Sequence, residues 1–547
     1  MKPAETPNGL TWAILLAVLA LGFGLRAYGL GTYWVNPDEG IYFSTVTSQD
    51  SSIFWQEVGE NAHPPLFYLL LRTFATLTSD FVVLRSLSCL LGCLAIFGAF
   101  LAVREVCGRD TTGAVAGIAT ALAVAVSPAM IELSTLIRPY MLQVSALFFA
   151  LYYLARCLKD GSSRAVAGYA VSISIALLTH YSSLLALGAI GITLALLLIC
   201  KQLNRRQVRL LAIAHAGPFL LILGLYCFHL RPNLMGSALQ QDAFASWLRP
   251  FTVQTWTDPW RLLFSFFTFL SRELADIGVL LLFVAIGLAI RKRRPLVLGL
   301  PLAALLVAIA AAAAKKYPLG STRHSIYLAV FLLPPVAWLL ARGLTSGKRA
   351  LIATLAAAGL LGLARNHIAP LLGSSKTDRQ LLVSEHLLTV ADCFKMQDVF
   401  ERIRRSPDIL LMSKQSYYLL MPLYHREREK AVWSEDRKFF RFRWGKTDVF
   451  VADIWEFRVE INRVADKIHL MQLVNAVDRA SPEVRLSKRR AVWMLFGGWS
   501  ERTPLTLLDN DKRVPESSKL LESVRSVPGL QALRFRLSRY VRGIRSR

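Results

Sequence analysis

Residues 36 to 43 read Asn36-Pro37-Asp38-Glu39-Gly40-Ile41-Tyr42-Phe43 and follow an apolar run that closes near Leu30. Two adjacent carboxylates therefore sit at the edge of a segment long enough to cross a bilayer. Further along the same polar loop, Ala62 to Arg72 read A-H-P-P-L-F-Y-L-L-L-R. An acidic pair held at a membrane surface is placed to deprotonate a soluble hydroxyl beside a lipid-borne molecule. The rest of the chain reads as a holder for this loop.

The apolar run before the loop, Thr11 to Leu30, has Lys2 ahead of it and no small-residue cleavage site behind it. It reads as an uncleaved signal anchor whose N-terminus is cytoplasmic. The segment after the loop decides the topology. Pro64 to Thr78 is about 15 residues long, opens with two prolines and contains Arg72, so it falls short of a span and reads as a helix lying along the membrane surface. Spans are then expected at Phe81–Val103, Thr112–Ser127, Pro139–Cys157, Ala165–Thr179, Ser182–Cys200, Val208–Leu230, Glu273–Ile290, Pro295–Ala314, His324–Ala341 and Leu351–Ala369. With the anchor this makes about eleven spans, and nearly every basic cluster falls on the cytoplasmic side. Had the Pro64 segment crossed, those clusters would all face outward.

Composition agrees with a polytopic membrane protein, since 54% of the 547 residues are hydrophobic. A net charge of +26 in a soluble chain would point to nucleic acid. Here many of the Lys and Arg fall in short clusters between apolar runs, which the positive-inside rule explains, and no nucleic-acid partner is expected. The seven cysteines are an odd number, mostly in or beside apolar segments, with neither a disulfide framework nor a zinc spacing. Cys89 and Cys93 share one helical face, as small packing residues do.

From about Gly373 the composition becomes mixed, with no spanning run. We therefore divide the chain into a membrane part, 1–372, whose first outer loop covers about 31–80, and a final part, 373–547, that is extracytoplasmic by parity. In the latter, Asp408–Ser413 reads as a strand, Tyr417–Tyr424 as a helix, and Asp448–Ile454 and Arg490–Phe496 as further strands, in an α/β arrangement. The basic tail from Arg534 could rest on anionic headgroups or be a solvated terminus. The expected fold class is a mainly α polytopic membrane protein with a C-terminal extracytoplasmic α/β domain.

Parity brings a set of polar residues to one level, the outer face: Asp38, Glu39, His63, Arg138, Tyr140, His180, Tyr181, Lys315, Lys316, Arg323 and His324. Carboxylates with several cations suit a reaction in which a base activates an acceptor and cations hold a departing phosphate. Each residue also has an ordinary structural explanation. Asp38 after Pro37 could cap a short helix, and His63 before Pro64 and Pro65 could bond a loop carbonyl. Lys315, Lys316 and Arg323 could snorkel at the interface, and outer Trp and Tyr could form an aromatic belt.

The order of D-E after the first span, H-P-P-L with a leucine-rich continuation, the R-P-Y turn at Arg138, the H-Y turn at His180 and a late arginine turn resembles the polytopic GT-C glycosyltransferases of the protein O-mannosyltransferase and aminoarabinose transferase type. The resemblance covers roughly residues 10 to 370 and is most specific in the first loop. It implies a GT-C arrangement, a sugar donor carried on polyprenyl phosphate, and transfer to a glycan, lipid or protein acceptor outside the cytoplasmic membrane. By this resemblance Asp38 matches the catalytic acid that serves as general base, and Glu39 shapes the site or shares the role. His63 and Pro64 belong to the element that sets the surface helix, while Arg138, Tyr140, His180 and Tyr181 fall where members line the donor cavity. Arg323 matches an arginine usually followed by tyrosine, and here His324 follows. The localisation implied is a bacterial inner membrane. Some members of the wider class use a divalent cation; this loop offers only the acidic pair, so no obligatory metal is expected. The competing reading is a lipid-carrier or small-solute transporter, though repeat symmetry and broken midplane helices are not visible in the sequence. A non-catalytic assembly partner is a third.

Overall fold

The computed structural model of the chain describes residues 8–61, 63–231, 249–271, 275–345, 388–427, 431–434, 439–452, 477–479, 484–485, 492–497, 521–527 and 530–535. The chain divides into two compact units. One comprises Met1–Leu30, Gln56–Phe74 and Leu84–Val383, and the other Gly31–Trp55, Ala75–Val83 and Ser384–Arg547.

In order, the first helices are α1 (Gly9–Gly29), α2 (Pro37–Thr47), α3 (Ser51–Glu60), α4 (Leu66–Ala75), α5 (Phe81–Cys107), α6 (Thr111–Val126), α7 (Pro128–Ser134), α8 (Tyr140–Asp160), α9 (Ser163–Leu177), α10 (Ser183–Ile199) and α11 (Arg205–Leu225). Helices Asp258–Leu270, Ala275–Arg291, Pro295–Ala313 and Ala329–Thr345 follow, the last preceded by a 3₁₀ turn at Arg323–Leu328. Helices stand at each expected span that lies within the described residues. Leu351–Ala369, Trp247 of the expected outer aromatic belt and most of the basic tail lie outside them. Among the described residues six helices are long and apolar enough to cross a bilayer, and a seventh counts if the bent pair α6 and α7 is one span. α4 has 10 residues. At ~1.5 Å per residue it covers about half of a ~30 Å hydrocarbon core, so it cannot cross alone.

The bend between α6 and α7 is 62°, and its cause is local. Pro128 has no N–H, and it holds Ser127 extended at ψ 122°, so α6 must stop there. The carbonyls released at the break are met by a buried cation. Arg26 of α1, fully buried, donates to the carbonyls of Val124 (2.9 Å), Ala125 (2.8 Å) and Gly22 (3.0 Å) and to Ser134 Oγ (3.0 Å). Residues 128–134, which lie between two expected spans, are helical, with Ser127 as the cap. At the other ends of α5 and α8, buried Glu105 pairs with Arg109 (2.8 Å) and Lys159 (3.3 Å), and Arg109 also reaches Asp160 (2.9 Å).

The second unit contains a seven-stranded mixed sheet, ordered β2-β3-β4-β1-β5-β7-β6. The strands are β1 (Ile409–Ser413), β2 (Val432–Trp433), β3 (Phe439–Trp444), β4 (Thr447–Ala452), β5 (Val492–Gly497), β6 (Leu521–Val527) and β7 (Leu530–Phe535). β1 is central, parallel to β4 and β5, and all five of its residues are buried. An apolar run without alternation is what a strand covered on both faces requires. The sequence pointed to β1, β4 and β5; β2, β3, β6 and β7 come from the structure. Residues of the first outer loop, Tyr33 to Val46, pack in this unit.

Candidate active site

The acidic pair starts α2. Pro37 occupies the first helical position, where its missing N–H costs nothing. Asn36 is the cap: its side chain accepts from the Glu39 N–H (2.8 Å), and Glu39 Oε2 accepts from the Asn36 N–H (3.1 Å). Glu39 is fully buried and Asp38 half-buried. The cap expected of Asp38 is thus made by Asn36 with Glu39, and Asp38 sits half-buried beside it. Residues of the same unit hold α2 in place. Trp34 Nε1 donates to the Leu419 carbonyl (2.7 Å), Tyr33 forms an antiparallel bridge with Thr389, and the Phe43 ring meets His425 edge-on at 5.4 Å.

A second group of predicted residues converges within the first unit. His63 precedes α4, whose start is tied by a bond from the Leu66 N–H to the Leu178 carbonyl (3.1 Å). Leu178 leads into the turn bearing His180, so this bond brings the two histidines together, with ring centroids 4.8 Å apart. Tyr140, the first residue of α8, lies 5.2 Å from His180 and 6.4 Å from His63. His324 lies 6.0 Å from His180 and 6.2 Å from Tyr140. Gly320 makes the approach to His324: it has φ +112°, and the next residue, Ser321, donates its N–H to Ser265 Oγ (3.1 Å).

Arg138 is buried and Arg323 half-buried. Both act electrostatically on the histidines. Burial pushes His180 down to about 3, with Arg323 and Arg138 adding to the effect. His63 is held well below the usual imidazole range, first by burial and then by His180, Arg138, His324 and Arg323. These rings are therefore neutral at ordinary pH, and the positive charge of the cluster resides on the guanidinium groups.

Other predicted residues lie apart from this cluster. Tyr181 shares the turn with His180, yet its hydroxyl bonds His229 Nδ1 (2.6 Å), whose Nε2 meets the Val58 carbonyl (3.0 Å). Lys315 and Lys316 are exposed in the turn that ends helix Pro295–Ala313. Pro64 is buried at the entry to α4. Sequence reasoning did not single out Glu132, Gln143, Ser182 or Tyr317. Glu132 lies within electrostatic reach of Arg323. Tyr317 meets His324 edge-on at 6.0 Å. A lone carboxylate in an apolar stretch is itself a signal, and it could have marked Glu132.

Two guanidinium groups, three imidazoles and two phenols beside one carboxylate form a donor-rich setting for an oxyanion. Among the described residues no group of three His, Cys, Asp or Glu is arranged to hold a metal ion.

Residues 62–229 match the family described as dolichyl-phosphate-mannose-protein mannosyltransferase. No curated protein matches the chain by sequence. Among solved structures, ArnT from Cupriavidus metallidurans bound to undecaprenyl phosphate is similar at 14% identity, covering 96% of this chain and 97% of that one, with a TM-score of 0.51. The same protein in the apo state gives 15% identity, the same coverage and a TM-score of 0.50. The Archaeoglobus fulgidus oligosaccharyltransferase, in complex with Zn and sulfate, gives 14% identity and a TM-score of 0.51 over 75% of this chain. This chain spans 61% of the length of that enzyme. The chain is thus similar to GT-C glycosyltransferases of the ArnT and protein-mannosyltransferase type, by fold over most of its length and by sequence across residues 62–229.

Proposed function

We propose that this chain is a multi-pass membrane glycosyltransferase that moves a sugar from a polyprenyl-phosphate-linked donor to an acceptor on the extracytoplasmic face, with inversion. The observation that carries the reading is the convergence of Arg138 and Arg323 on His63, Tyr140, His180 and His324. Most of this cluster lies inside the segment that matches a family named for a lipid-phosphate sugar donor. In this reading Asp38 takes the proton of the acceptor hydroxyl, the oxygen attacks the anomeric carbon, and the bond from that carbon to the phosphate oxygen breaks. Polyprenyl phosphate leaves with the electron pair, and Arg323 and Arg138 balance the charge it gains. Glu39 holds the loop that presents Asp38. Lys315 and Lys316 are assigned to lipid headgroups, and Tyr181 to the wall of the donor cavity.

The accompanying topology has about eleven spans, a cytoplasmic N-terminus in a bacterial inner membrane, and an extracytoplasmic α/β region from about residue 373. No step is assigned to a metal; loss of activity in chelator, restored by a single cation, would overturn that assignment.

The test uses the purified protein reconstituted with lipid extract from its own cells and reads the release of free polyprenyl phosphate. Wild type is expected to release it, and Asp38→Asn to lower the rate about 10²–10⁴-fold. Full turnover by a folded Asp38→Asn protein would remove Asp38 as the base. No release by wild type across several extracts would overturn the reading as a whole.

A further inference from the structure

His180 is 3% exposed, and its two ring nitrogens have opposite surroundings. Nδ1 faces the backbone N–H of Ser182 at 3.1 Å and the Ser182 hydroxyl at 2.9 Å. A backbone N–H can only donate, so Nδ1 accepts and carries no proton. In the neutral ring the proton must then sit on Nε2. That atom is buried and has no hydrogen-bond partner among the described residues.

Ser182 is itself oriented from behind. Gln143 of α8, fully buried, donates its amide nitrogen to Ser182 Oγ (2.7 Å) and to Ser183 Oγ (2.9 Å). Ser183 passes its own proton to the Ala176 carbonyl (2.7 Å), which leaves its oxygen free to accept from Gln143. Ser182, having accepted from Gln143, likewise directs its proton to His180 Nδ1. The chain of donors runs one way, from Gln143 through Ser182 to the ring. It ends at a buried N–H among His63, Tyr140 and His324, within the field of two arginines. The Tyr140 hydroxyl, also buried, similarly lacks a hydrogen-bond partner among the described residues. An orphaned buried donor costs free energy unless a ligand completes it.

We infer that His180 acts as a neutral donor of fixed tautomer, giving its Nε2–H to a phosphoryl oxygen of the lipid-linked molecule, and that Ser182 and Gln143 are positioning residues that hold it so. The inference rests on the proposed polyprenyl-phosphate reading and adds to it a specific contact. A neutral donor strengthens as the leaving phosphate gains charge and cannot itself give up a full proton to it, so it favours release without trapping the product.

The experiment measures binding to the full-length detergent-solubilised protein with three probes: undecaprenyl phosphate, undecaprenol and inorganic phosphate. The variants are His180→Phe, which keeps a planar ring without the donor, His180→Gln, which restores an N–H near the Nε2 position, and Gln143→Leu. His180→Phe is expected to weaken undecaprenyl phosphate about 10- to 100-fold, as befits a hydrogen bond to a charged group, and to leave undecaprenol unchanged. His180→Gln should recover most of the loss, and Gln143→Leu should lose about 3- to 10-fold. Competition by inorganic phosphate alone, without a preference for the lipid form, would reassign the donor to a free anion and overturn the lipid contact.

Ring-nitrogen NMR of ¹⁵N-histidine-labelled protein gives a second readout that requires no ligand. The signal lost in His180→Gln should show a protonated Nε2, and in Gln143→Leu it should shift toward a mixed tautomer. A protonated Nδ1 in wild type overturns the inference, even if His180→Phe fails to fold. Equal undecaprenyl phosphate binding by wild type and His180→Phe overturns the inference and leaves the proposed function standing. No binding by wild type overturns both.

Discussion

A β-carbon on Gly40 would lie 2.0 Å from the backbone oxygen of Tyr418. The helix that carries Asp38 and Glu39 therefore packs backbone to backbone against the helix Lys414–Leu419, nearly four hundred residues away along the chain. No side chain fits between them. Gly40→Ala must push the two apart and is expected to cost about 1–3 kcal/mol. Thermal unfolding of the purified protein measures this, with Gly24→Ala as the control, since a β-carbon there meets no atom within 4 Å. Equal unfolding temperatures for both variants would refute the close approach.

Stability and catalysis are expected to separate across the acidic pair. Glu39→Ala removes one half of the cap at Asn36 and should cost about 0.5–2 kcal/mol, whereas Glu39→Gln keeps an oxygen for the Asn36 N–H and should stay near wild type. Asp38→Asn should leave the unfolding temperature almost unchanged while product release collapses. A stability loss at Asp38 as large as that at Glu39→Ala would make Asp38 a structural residue.

Arg26 is expected to be among the most sensitive positions in the first unit. Arg26→Met leaves the carbonyls of Val124 and Ala125 at the α6 break without their donor, at about 1–3 kcal/mol for each buried group. Arg26→Lys should recover little, because one ammonium cannot span acceptors that a planar guanidinium reaches together. Denaturation in mild detergent checks both, and recovery by lysine would argue for charge alone.

Acid should destabilise the cluster around His180. Its folded pKa of about 3 lies below the unfolded value near 6.5, so between those limits the unfolded chain binds a proton that the folded chain refuses. Stability then falls as the pH falls, by up to about 1.4 kcal/mol per pH unit for this one ring, or about 2 kcal/mol by about pH 5. Among the groups around it, His63 adds in the same direction, while the Glu132 carboxyl, pushed up by burial, acts in the opposite sense. Unfolding temperatures between about pH 7.5 and about pH 5 should show a steeper decline in wild type than in His180→Gln.

Local rules were enough for the helices and for the presence of a cap beside Pro37, although they gave it to Asp38 and the structure gives it to Asn36. Apolar runs of spanning length and the Pro-Asp-Glu order are read within a few residues of themselves, because helix hydrogen bonds and caps join neighbours. The short α4 was legible for the same reason, from two prolines and too few apolar residues. The polar cluster was legible only as a level. Parity placed Arg138, Tyr140, His180, Tyr181, Lys315 and His324 together, but it carries no information about which way each side chain turns.

Tertiary packing made that choice. Tyr181 and His180 are adjacent in sequence, and the backbone sends one to His229 and the other to His63 and Tyr140. Glu132 and Gln143 became members of the cluster through partners far along the chain, contacts that no local period encodes. The loop of Asp38 is settled in the same way, by the space that Tyr418 leaves at Gly40. Sequence alone determined the elements and the kinds of residue available to them; long-range packing, where one close contact excludes its alternatives, decided which residues meet.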